Sequence, residues 1–323
     1  MSELPAAGPV LAVDVGGTKI AVALVDASGR AYRIQRAATP QGPRADAETV
    51  WSVVDALISA LLAQNDAQLV GVGVGCGGPM DWPAGRVSPL NLPGWRDFPL
   101  RARVNERFPG LPVRVHNDAV CLAVAEHWRG AGRGRDNVLG MVVSTGVGGG
   151  LILGGRLLDG ADGNAGHIGH VIVDPQGPPC SCGGFGCLEA VASGPACVAW
   201  ARAQGWRPSG PTGEGATASD LADDARRGHP VAAAAMNRAG AALGVAIASA
   251  TQLLNLEVVA IGGGVSQAGP LIFNPLQESL RRHARLSFAA DVAVVPAALG
   301  QDGGLVGAAA LVLAGGTYWN PAG

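Results

Sequence analysis

The sequence carries little charge, and the two signs are almost balanced. Charged residues make up 15% of the 323 residues, the net charge is −2 and the pI is about 6.3. A basic surface for nucleic acid or for an anionic membrane is therefore not indicated. Hydrophobic residues make up 48% of the chain, a share typical of well-packed globular proteins rather than disordered ones. A chain of this length can form two domains, each with its own core.

The sequence also lacks the segments that would direct it to a membrane or out of the cell. Its start, MSELPAAGPVLAVDVG, has no basic region ahead of an apolar run, so we predict no signal peptide. Polar residues and glycines interrupt the Ala-rich run 231–254, so we predict no membrane span. Six cysteines are too few for a disulfide scaffold, and Cys76, Cys121 and Cys197 stand in apolar surroundings that predict buried thiols. We expect a cytoplasmic protein with no membrane or nucleic-acid partner.

What the sequence does have is glycine, 50 residues of it, concentrated at turns between apolar runs. The first such turn is Asp14-Val15-Gly16-Gly17-Thr18-Lys19, and it predicts a strand, a tight turn and a second strand. Small residues and a hydroxyl at a turn let a phosphate approach the backbone N–H groups, and a carboxylate there can hold Mg²⁺ through water. An ordinary hairpin turn is the alternative. The motif is not a P-loop, because GxxxxGK[ST] is absent.

Two further glycine turns follow in the second half of the chain. Ser144-Thr145-Gly146-Val147-Gly148-Gly149-Gly150 again separates two predicted strands, and Gly262-Gly263-Gly264 closes a predicted strand at 257–261. The same unit of strand, glycine turn and strand thus occurs in both halves of the chain. This repeat indicates two domains of similar topology that face one nucleotide. At the third turn the backbone could lie against a flat ring of the nucleotide.

Asn117 and Asp118 stand between a predicted strand, 112–115, and a predicted Ala-rich helix, 119–128. Active sites of α/β proteins lie at such strand ends, but Asp118 could also be only the N-cap of the helix. The Gly- and Pro-rich stretch 76–95 is either a binding loop or a plain connection. Strands and helices alternate along the whole chain, which predicts an α/β fold.

The most specific stretch is 166–189, where GHIGH is followed by Cys180-Ser181-Cys182 and Cys187-Leu188-Glu189. A histidine ten residues before the first cysteine completes a Cys3His set, a usual tetrahedral zinc shell. Reduced cysteines on a turn and a disulfide are the alternatives, but clustered cysteines in an intracellular-type enzyme more often bind metal. Four protein ligands leave no open position, so we predict a structural zinc.

Together these motifs resemble the ROK family of sugar kinases from Val10 to about Leu313. The matching stretches are DVGGTK, HNDA, STGVGGG, GHIGH…DPQGPPCSCGGFGCLEAVASG and IGGG. The resemblance implies an actin/hexokinase-like fold, in which two ribonuclease-H-like α/β domains close over ATP and a sugar. On this pattern the small domain is 1–117, completed by a C-terminal helix at 304–323, and the large domain with the zinc motif is 118–303.

The resemblance also implies a role for each motif. Asp118 would be the catalytic base and Asn117 a contact to a sugar hydroxyl. The other sugar-binding candidates are Gly78, Asn91, His167, His170 and Glu189. The nucleotide-binding candidates are Asp14, Gly16, Gly17, Thr18 and Lys19 in the first turn, Ser144, Thr145, Gly146 and Gly148 in the second, and Gly262, Gly263 and Gly264 in the third. The zinc ligands would be His170, Cys180, Cys182 and Cys187.

One departure from the family pattern bears on the substrate. Most members carry Glu where this chain has His167, and that carboxylate accepts hydrogen bonds from hydroxyls near the anomeric end of the sugar. A neutral imidazole offers one donor and one acceptor instead, which would suit a 2-acetamido group. Bacterial N-acetylmannosamine kinases share GHIGH and the DPxGPxCxCG pattern, and the chain resembles them most closely. N-acetylmannosamine is therefore favoured over glucose by a small margin.

The expected reaction is transfer of the γ-phosphate of Mg²⁺-ATP to the 6-hydroxyl of a hexose or N-acetylhexosamine, with Asp118 accepting the proton. A glucokinase that uses ATP or polyphosphate is the alternative. A non-catalytic sugar-sensing regulator is a third possibility, although nine residues before the first predicted strand are too few for a DNA-binding domain. We expect a homodimer or a homotetramer.

Overall fold

The computed structural model describes residues 8–42, 45–63, 67–210 and 213–319. The chain forms two compact units: unit 1 comprises 1–134, 150–166 and 301–323, and unit 2 comprises 135–149 and 167–300. The two ends of the predicted small domain, 1–7 and 320–323, lie outside the described residues.

The strands of the described residues form two five-stranded sheets and one two-stranded hairpin. They are β1 (Val10–Val15), β2 (Lys19–Val25), β3 (Ala31–Ala38), β4 (Gly71–Cys76), β5 (Met80–Asp81), β6 (Arg86–Val87), β7 (Val113–Asn117), β8 (Val138–Val143), β9 (Val147–Leu153), β10 (Arg156–Leu157), β11 (Val258–Gly262) and β12 (Ala293–Pro296).

The α-helices alternate with these strands, so the predicted α/β fold class is confirmed. They are α1 (Ala47–Leu62), α2 (Leu100–Arg107), α3 (Asp118–Arg129), α4 (Leu188–Ala192), α5 (Gly194–Ala203), α6 (Ala218–Arg226), α7 (Pro230–Leu254), α8 (Pro270–His283), α9 (Ser287–Ala290), α10 (Gly303–Leu313) and α11 (Gly315–Tyr318).

The first sheet lies in unit 1 and has the strand order β3-β2-β1-β4-β7. Strands β1, β4 and β7 are parallel, and Asp14 is level with Gly75, which in turn is level with His116. The carboxyl ends of the three strands therefore meet at one edge of the sheet, where ligands bind in open α/β sheets. The continuous run of small and apolar residues in the central strand β4 is explained by burial, since every residue of β4 is buried.

Helix α10 approaches the backbone of this sheet very closely. It packs on β1 and β4, and a Cβ placed on Gly73 would lie 1.9 Å from the Ala308 carbonyl oxygen. The glycines of β4 therefore let a helix from the end of the chain complete the core of unit 1. The predicted C-terminal helix at 304–323 is shorter in the structure: α10 ends at Leu313 and α11 follows it.

The second sheet has the order β10-β9-β8-β11-β12, with β8, β11 and β12 parallel. Its β8, β11 and β12 belong to unit 2, where α7 packs against α8, α6, α4 and α5. By length and composition α7 could cross a membrane, contrary to our expectation for this run, but 61% of its most apolar window is buried. A Cβ on Gly240 would lie 2.5 Å from the Ile272 carbonyl oxygen of α8, so α7 has the close packing of a core helix.

Three segments differ in detail from their sequence interpretation. The sequence predicts one helix over 188–204, but the structure has two, because Ser193 leaves the helical conformation after α4 and caps α5 with its side chain. The stretch 76–95, interpreted as either a binding loop or a plain connection, also contains the paired strands β5 and β6. The second glycine turn is shorter than predicted: it spans 144–146, and Gly148 already lies on β9.

Candidate active site and metal cluster

In unit 1, the turn between β1 and β2 is closed by its own backbone. The Gly16 N–H donates to the Lys19 carbonyl oxygen at 2.9 Å. Gly17 lies against the side chain of Asn91, since a Cβ on Gly17 would be 2.5 Å from Asn91 Nδ2. A predicted sugar-binding residue is therefore in contact with the predicted phosphate-binding turn.

Asn91 belongs to an ordered loop that begins at the end of β4. The Leu90 N–H donates to the Gly78 carbonyl oxygen at 3.3 Å, and the Val87 N–H donates to that of Phe98 at 2.9 Å. Asn91 Oδ1 is also 3.4 Å from the position of a Cβ on Gly77. The loop thus brings Gly78 and Asn91, both predicted from the sequence, to the edge where β4 ends.

Asp14 lies at the end of β1 among small residues. A Cβ on Gly75 would be 3.6 Å from Asp14 Oδ1, and a Cβ on Gly304, at the start of α10, would be 2.9 Å from Oδ2. Burial, and after it the negative charge of Asp118, raises the pKa of Asp14 to about 7, while Lys19 acts in the opposite direction. Two carboxyl groups therefore influence each other here, as expected where a cation or a proton is to be held.

Asn117 ends β7 and caps helix α3. Its Oδ1 accepts a hydrogen bond from the Ala119 N–H at 2.9 Å, and Asp118 Oδ1 accepts from the same N–H at 2.8 Å. The cap of α3 is therefore Asn117, and the alternative role of Asp118 as N-cap is wrong. Asp118 is the first helical residue, where the helix dipole favours a carboxylate.

His116, directly before this pair, makes two hydrogen bonds that sequence reasoning missed. Its ring is 1% exposed; Nδ1 accepts from the Asn117 N–H at 2.8 Å, and Nε2 is 2.9 Å from Asp159 Oδ1. Asp159 is 43 positions away in the sequence, so no local pattern joins the two residues. A histidine followed by Asn and Asp at a strand end was the available signal.

In unit 2, the second glycine turn is held by the starts of two helices. The Ser144 N–H donates to the Gly146 carbonyl oxygen at 2.8 Å, and the Gly194 N–H, at the start of α5, donates to that of Ser144 at 2.7 Å. Glu189 of α4 accepts from the Val147 N–H through Oε2 at 2.8 Å. A Cβ on Gly146 would be 2.7 Å from the same oxygen, so glycine is needed for this approach.

The third glycine turn lies beside the second. Gly263 has φ +92°, and a Cβ there would be 2.4 Å from the Val143 carbonyl oxygen at the end of β8. A Cβ on Gly264 would lie 3.8 Å from Ser144 Oγ. The structure thus brings together the two turns of unit 2 that the sequence assigned to one nucleotide, since β8 and β11 are adjacent parallel strands.

The four predicted metal ligands, His170, Cys180, Cys182 and Cys187, form one cluster. Their ligand atoms all lie within 4.8 Å of one another. The Sγ atoms of Cys182 and Cys187 are 3.7 Å apart, as are Cys180 Sγ and His170 Nδ1. Zinc with Zn–S bonds of about 2.3 Å and tetrahedral angles has ligands separated by about 3.5–3.8 Å. The donors therefore fit a tetrahedral metal where they stand, and all six cysteines are free thiols rather than disulfides.

Backbone hydrogen bonds fix the conformation of the cysteine loop, residues 180–187, which carries the three cysteines of the cluster. The Cys180 N–H donates to the Gly184 carbonyl oxygen at 2.8 Å, and the Gly183 N–H, at φ +90°, donates to that of Cys180 at 3.0 Å. The backbone of Gly184, followed by a hydrogen bond with Cys180, lowers the pKa of Cys182. Burial raises the pKa of Cys187 to about 12, so the two thiols are shifted in opposite directions; metal binds the thiolate form of each.

Contacts also join the segment 167–189, which carries the four candidate ligands, to the second glycine turn. Gly169, next to the ligand His170, packs directly on the Val147 carbonyl oxygen, since a Cβ would lie 1.9 Å from it. Glu189 accepts from the Ser181 hydroxyl through Oε1 at 3.4 Å and from the Val147 N–H through Oε2. The carboxylate therefore links the cysteine loop to the turn. The His167 ring lies 6.2 Å from that of His170, centroid to centroid.

Comparison with known proteins places this arrangement in a family. The sequence profile of the ROK family matches residues 10–314. The chain belongs to the ROK family. It is 36% identical to the glucokinase of Thermotoga maritima over 94% of this chain and 96% of that protein. It is 38% identical to an N-acetylmannosamine kinase of Yersinia pestis over 94% of this chain and 97% of the relative.

The ROK fold is equally clear from a solved structure. A ROK glucokinase from Streptomyces griseus, in complex with glucose and AMPPNP, superposes with a TM-score of 0.81 at 35% identity, covering 94% of this chain and 99% of that one. The predicted family and the predicted actin/hexokinase-like fold are confirmed. Because the glucokinase and the N-acetylmannosamine kinase are almost equally similar to this ROK protein, the choice of sugar has to be argued from the site.

Proposed function

We propose that this ROK-family protein is a sugar kinase that transfers the γ-phosphate of ATP to the 6-hydroxyl of a hexose or N-acetylhexosamine. The observation that carries the proposal is the grouping of Asp14, on β1, and Asp118, directly after β7, at the carboxyl ends of the two strands on either side of β4, with the Gly16–Gly17 turn and Asn91 in the same unit. The similar proteins from Thermotoga maritima, Yersinia pestis and Streptomyces griseus bear the names of such kinases.

In this mechanism Asp118 accepts the proton of the attacking 6-hydroxyl. Its Oδ1 accepts a hydrogen bond from the Ala119 N–H at 2.8 Å, which fixes the carboxylate at the start of α3. Asn117, whose Oδ1 caps the helix, would present its amide to a sugar hydroxyl. Phosphoryl transfer needs positioning and charge neutralisation more than covalent chemistry, so the base and the glycine turns supply most of what is required.

Asp14 would serve the nucleotide. With a pKa of about 7, it is partly protonated at neutral pH, and a nearby cation would favour its ionised form. Mg²⁺ bound with ATP would neutralise phosphate charge, and Asp14 is the carboxyl group that would hold it, through water. Lys19 and the first turn would contact the phosphates, the 144–146 turn would bind them as well, and Gly262, Gly263 and Gly264 would lie against the adenosine.

We further infer that the four-residue cluster binds one structural zinc. The fit of the donor separations to a tetrahedral shell supports this inference, and no fifth ligand is needed. Zinc would supply no chemistry to the reaction; it would fix the segment on which His167 and Glu189 lie.

We favour N-acetylmannosamine as the sugar, with glucose as the alternative. His167 replaces the carboxylate usual in the family, and it follows Gly166 and precedes the turn that carries the ligand His170. A neutral imidazole can donate one hydrogen bond to the carbonyl oxygen of a 2-acetamido group, which a carboxylate cannot do. A cytoplasmic homodimer or homotetramer is part of the same proposal.

A coupled ADP-release assay with glucose, mannose, N-acetylglucosamine and N-acetylmannosamine tests the function. The proposal expects ATP-dependent turnover that is highest with N-acetylmannosamine and about 10²–10⁴ lower in the Asp118→Asn variant. Highest turnover with glucose would keep the kinase and replace the substrate. Sugar binding without turnover of any of the four, with ATP or with polyphosphate, would point to a sugar-sensing regulator instead.

A further inference from the structure

We propose that His116 and Asp159 form a positioning pair for the Asn117–Asp118 backbone. The pair is almost completely buried: the His116 side chain is 1% exposed and that of Asp159 is 14% exposed. Asp159 follows β10 in the segment 150–166 of unit 1, and His116 lies on β7 of the same unit. The inference rests on the proposed role of Asp118 in phosphoryl transfer.

The two hydrogen bonds of His116 determine its tautomer. The Asn117 backbone N–H can only donate, so Nδ1, at 2.8 Å, is the acceptor and carries no proton. Nε2 then carries the hydrogen and donates to Asp159 Oδ1 at 2.9 Å. Asp159 therefore holds the ring in the one neutral tautomer that can accept from the strand end, as a carboxylate does when it orients a histidine.

This acceptor fixes the peptide that leads into the candidate base. The Asn117 N–H donates to His116 Nδ1. Two residues further on, the Ala119 N–H donates to both Asn117 Oδ1 and Asp118 Oδ1. The peptide direction at Asn117 thus sets where both side chains point. The reaction rate falls steeply when a group in an active site is misplaced by about 1 Å. Loss of the acceptor on His116 should therefore lower kcat even where the stability of the fold is unchanged.

Asp159 is itself held in place by its surroundings. Its carbonyl oxygen accepts from the Ala165 N–H at 3.1 Å. The Trp82 ring lies 5.8 Å from that of His116, and a Cβ on Gly163 would be 2.3 Å from Trp82 Cβ. The segment after β10 therefore packs on Trp82, whose ring lies beside the histidine, and its backbone holds Asp159 in a turn.

Two substitutions at one position separate the two hydrogen bonds. His116→Asn keeps an acceptor for the following N–H, in the manner of Asp118 Oδ1 and the Ala119 N–H. His116→Gln can reach Asp159 but loses that acceptor. A matched control is His127→Gln, because His127 Nδ1 is also hydrogen-bonded in unit 1, at 2.6 Å from the Tyr318 hydroxyl, away from the strand end.

We expect His116→Gln to lower kcat about ten- to a hundredfold and to raise KM for the sugar, with KM for ATP little changed, since one misplaced hydrogen bond is at stake. His116→Asn should recover most of this kcat, and His127→Gln should keep the wild-type kcat. Equal kcat in both His116 variants, or wild-type kcat in His116→Gln alongside an inactive Asp118→Asn, would overturn the pair and leave the kinase proposal intact.

A readout that does not depend on activity is the imidazole ¹⁵N spectrum of the wild-type protein. The pair requires the Nε2–H tautomer for His116, and an Nδ1–H tautomer would overturn it even if no sugar is phosphorylated. Should the His116 variants fail to fold, Asp159→Asn, which keeps an acceptor, and Asp159→Ala, which does not, provide the same test. Only the alanine variant should lose kcat.

Discussion

The two units support their candidate site residues by different means. In unit 1, Asp14 lies near the end of β1, and Asn117 and Asp118 lie where β7 ends and α3 begins; both parallel strands are largely buried and pack against α10. In unit 2, His167, His170 and Glu189 lie on a segment with one 3₁₀ turn and the short helix α4, and it exposes apolar side chains such as Ile172 (59%) and Phe185 (61%). The first group rests on a hydrophobic core, whereas the second rests on polar contacts and a cluster of candidate metal ligands.

The difference predicts how substitutions should affect each group of candidate site residues. A side chain carried by a buried sheet keeps its place when one polar group is changed, so such a substitution removes chemistry and little else. A side chain on a metal-supported loop depends on ligands that are remote from the reaction, so their loss changes binding and stability together. Substitutions in the two units should therefore separate catalysis from structure.

The largest effect is expected for Asp118→Asn in unit 1. The change removes the proton acceptor but leaves Asn117 as the cap of α3 and an oxygen near the Ala119 N–H. Turnover should fall by about 10²–10⁴ while the melting temperature and sugar binding by calorimetry stay close to wild type. Retention of more than roughly a tenth of kcat would refute the assignment of the base.

Cys182→Ser should produce the opposite pattern in unit 2. Metal analysis should find one zinc per chain in the wild type and none in the variant, with a lower melting temperature and sugar affinity weakened by about 10- to 100-fold. Cys197→Ser is the matched control, because Cys197 is a buried thiol of α5 outside the cluster, and it should keep the metal. A zinc-free variant with wild-type stability and kinetics would be inconsistent with a structural metal.

His167→Glu should change the choice of sugar rather than the fold. A carboxylate would meet the acetamido carbonyl as a second acceptor, and it would accept from a free 2-hydroxyl. We expect the ratio of kcat/KM for N-acetylmannosamine over glucose to fall by roughly one to two decades, the effect of about 1–3 kcal/mol for a misplaced hydrogen bond. An unchanged ratio would mean that His167 does not select the sugar.

A separate prediction concerns the pH dependence of stability. Asp14 has a pKa of about 7 in the folded protein against 3.8 for an ordinary Asp, so the folded state holds the proton more tightly. This group therefore favours the folded state at low pH, and its contribution declines as pH rises from about 4 to about 7. Asp14→Asn should flatten the decline in the free energy of unfolding between pH 5 and pH 8, measured by chemical denaturation.

Asp97→Asn is the control for the pH experiment. Asp97 is exposed, and its hydrogen bonds with Arg86 lower its pKa, so it titrates below the window tested. The slope between pH 5 and pH 8 should stay as in the wild type. The same slope in Asp14→Asn as in the wild type would argue against a raised pKa for Asp14.

Local patterns predicted much of this molecule because its strands and turns are marked by apolar runs and glycines. The hairpin around Gly16 and Gly17, the strand before Asn117 and the Cys3His cluster all depend on residues close in sequence. The pairing of His116 with Asp159 and the approach of Gly304 to Asp14 join distant positions, so no periodicity indicates them. The cap at Asn117 was missed because Asn and Asp cap helices about equally well.

The contrast between the two units is tested most directly by hydrogen exchange after metal removal. Zinc would be removed with a chelator from the intact protein, and backbone exchange followed by mass spectrometry. Peptides from 167–189 should lose protection, because the proposed ligands would hold that segment, while peptides from 113–129, which contain β7 and α3, should exchange as before. Unchanged protection of 167–189 in the metal-free protein, or equal loss in both regions, would contradict the account.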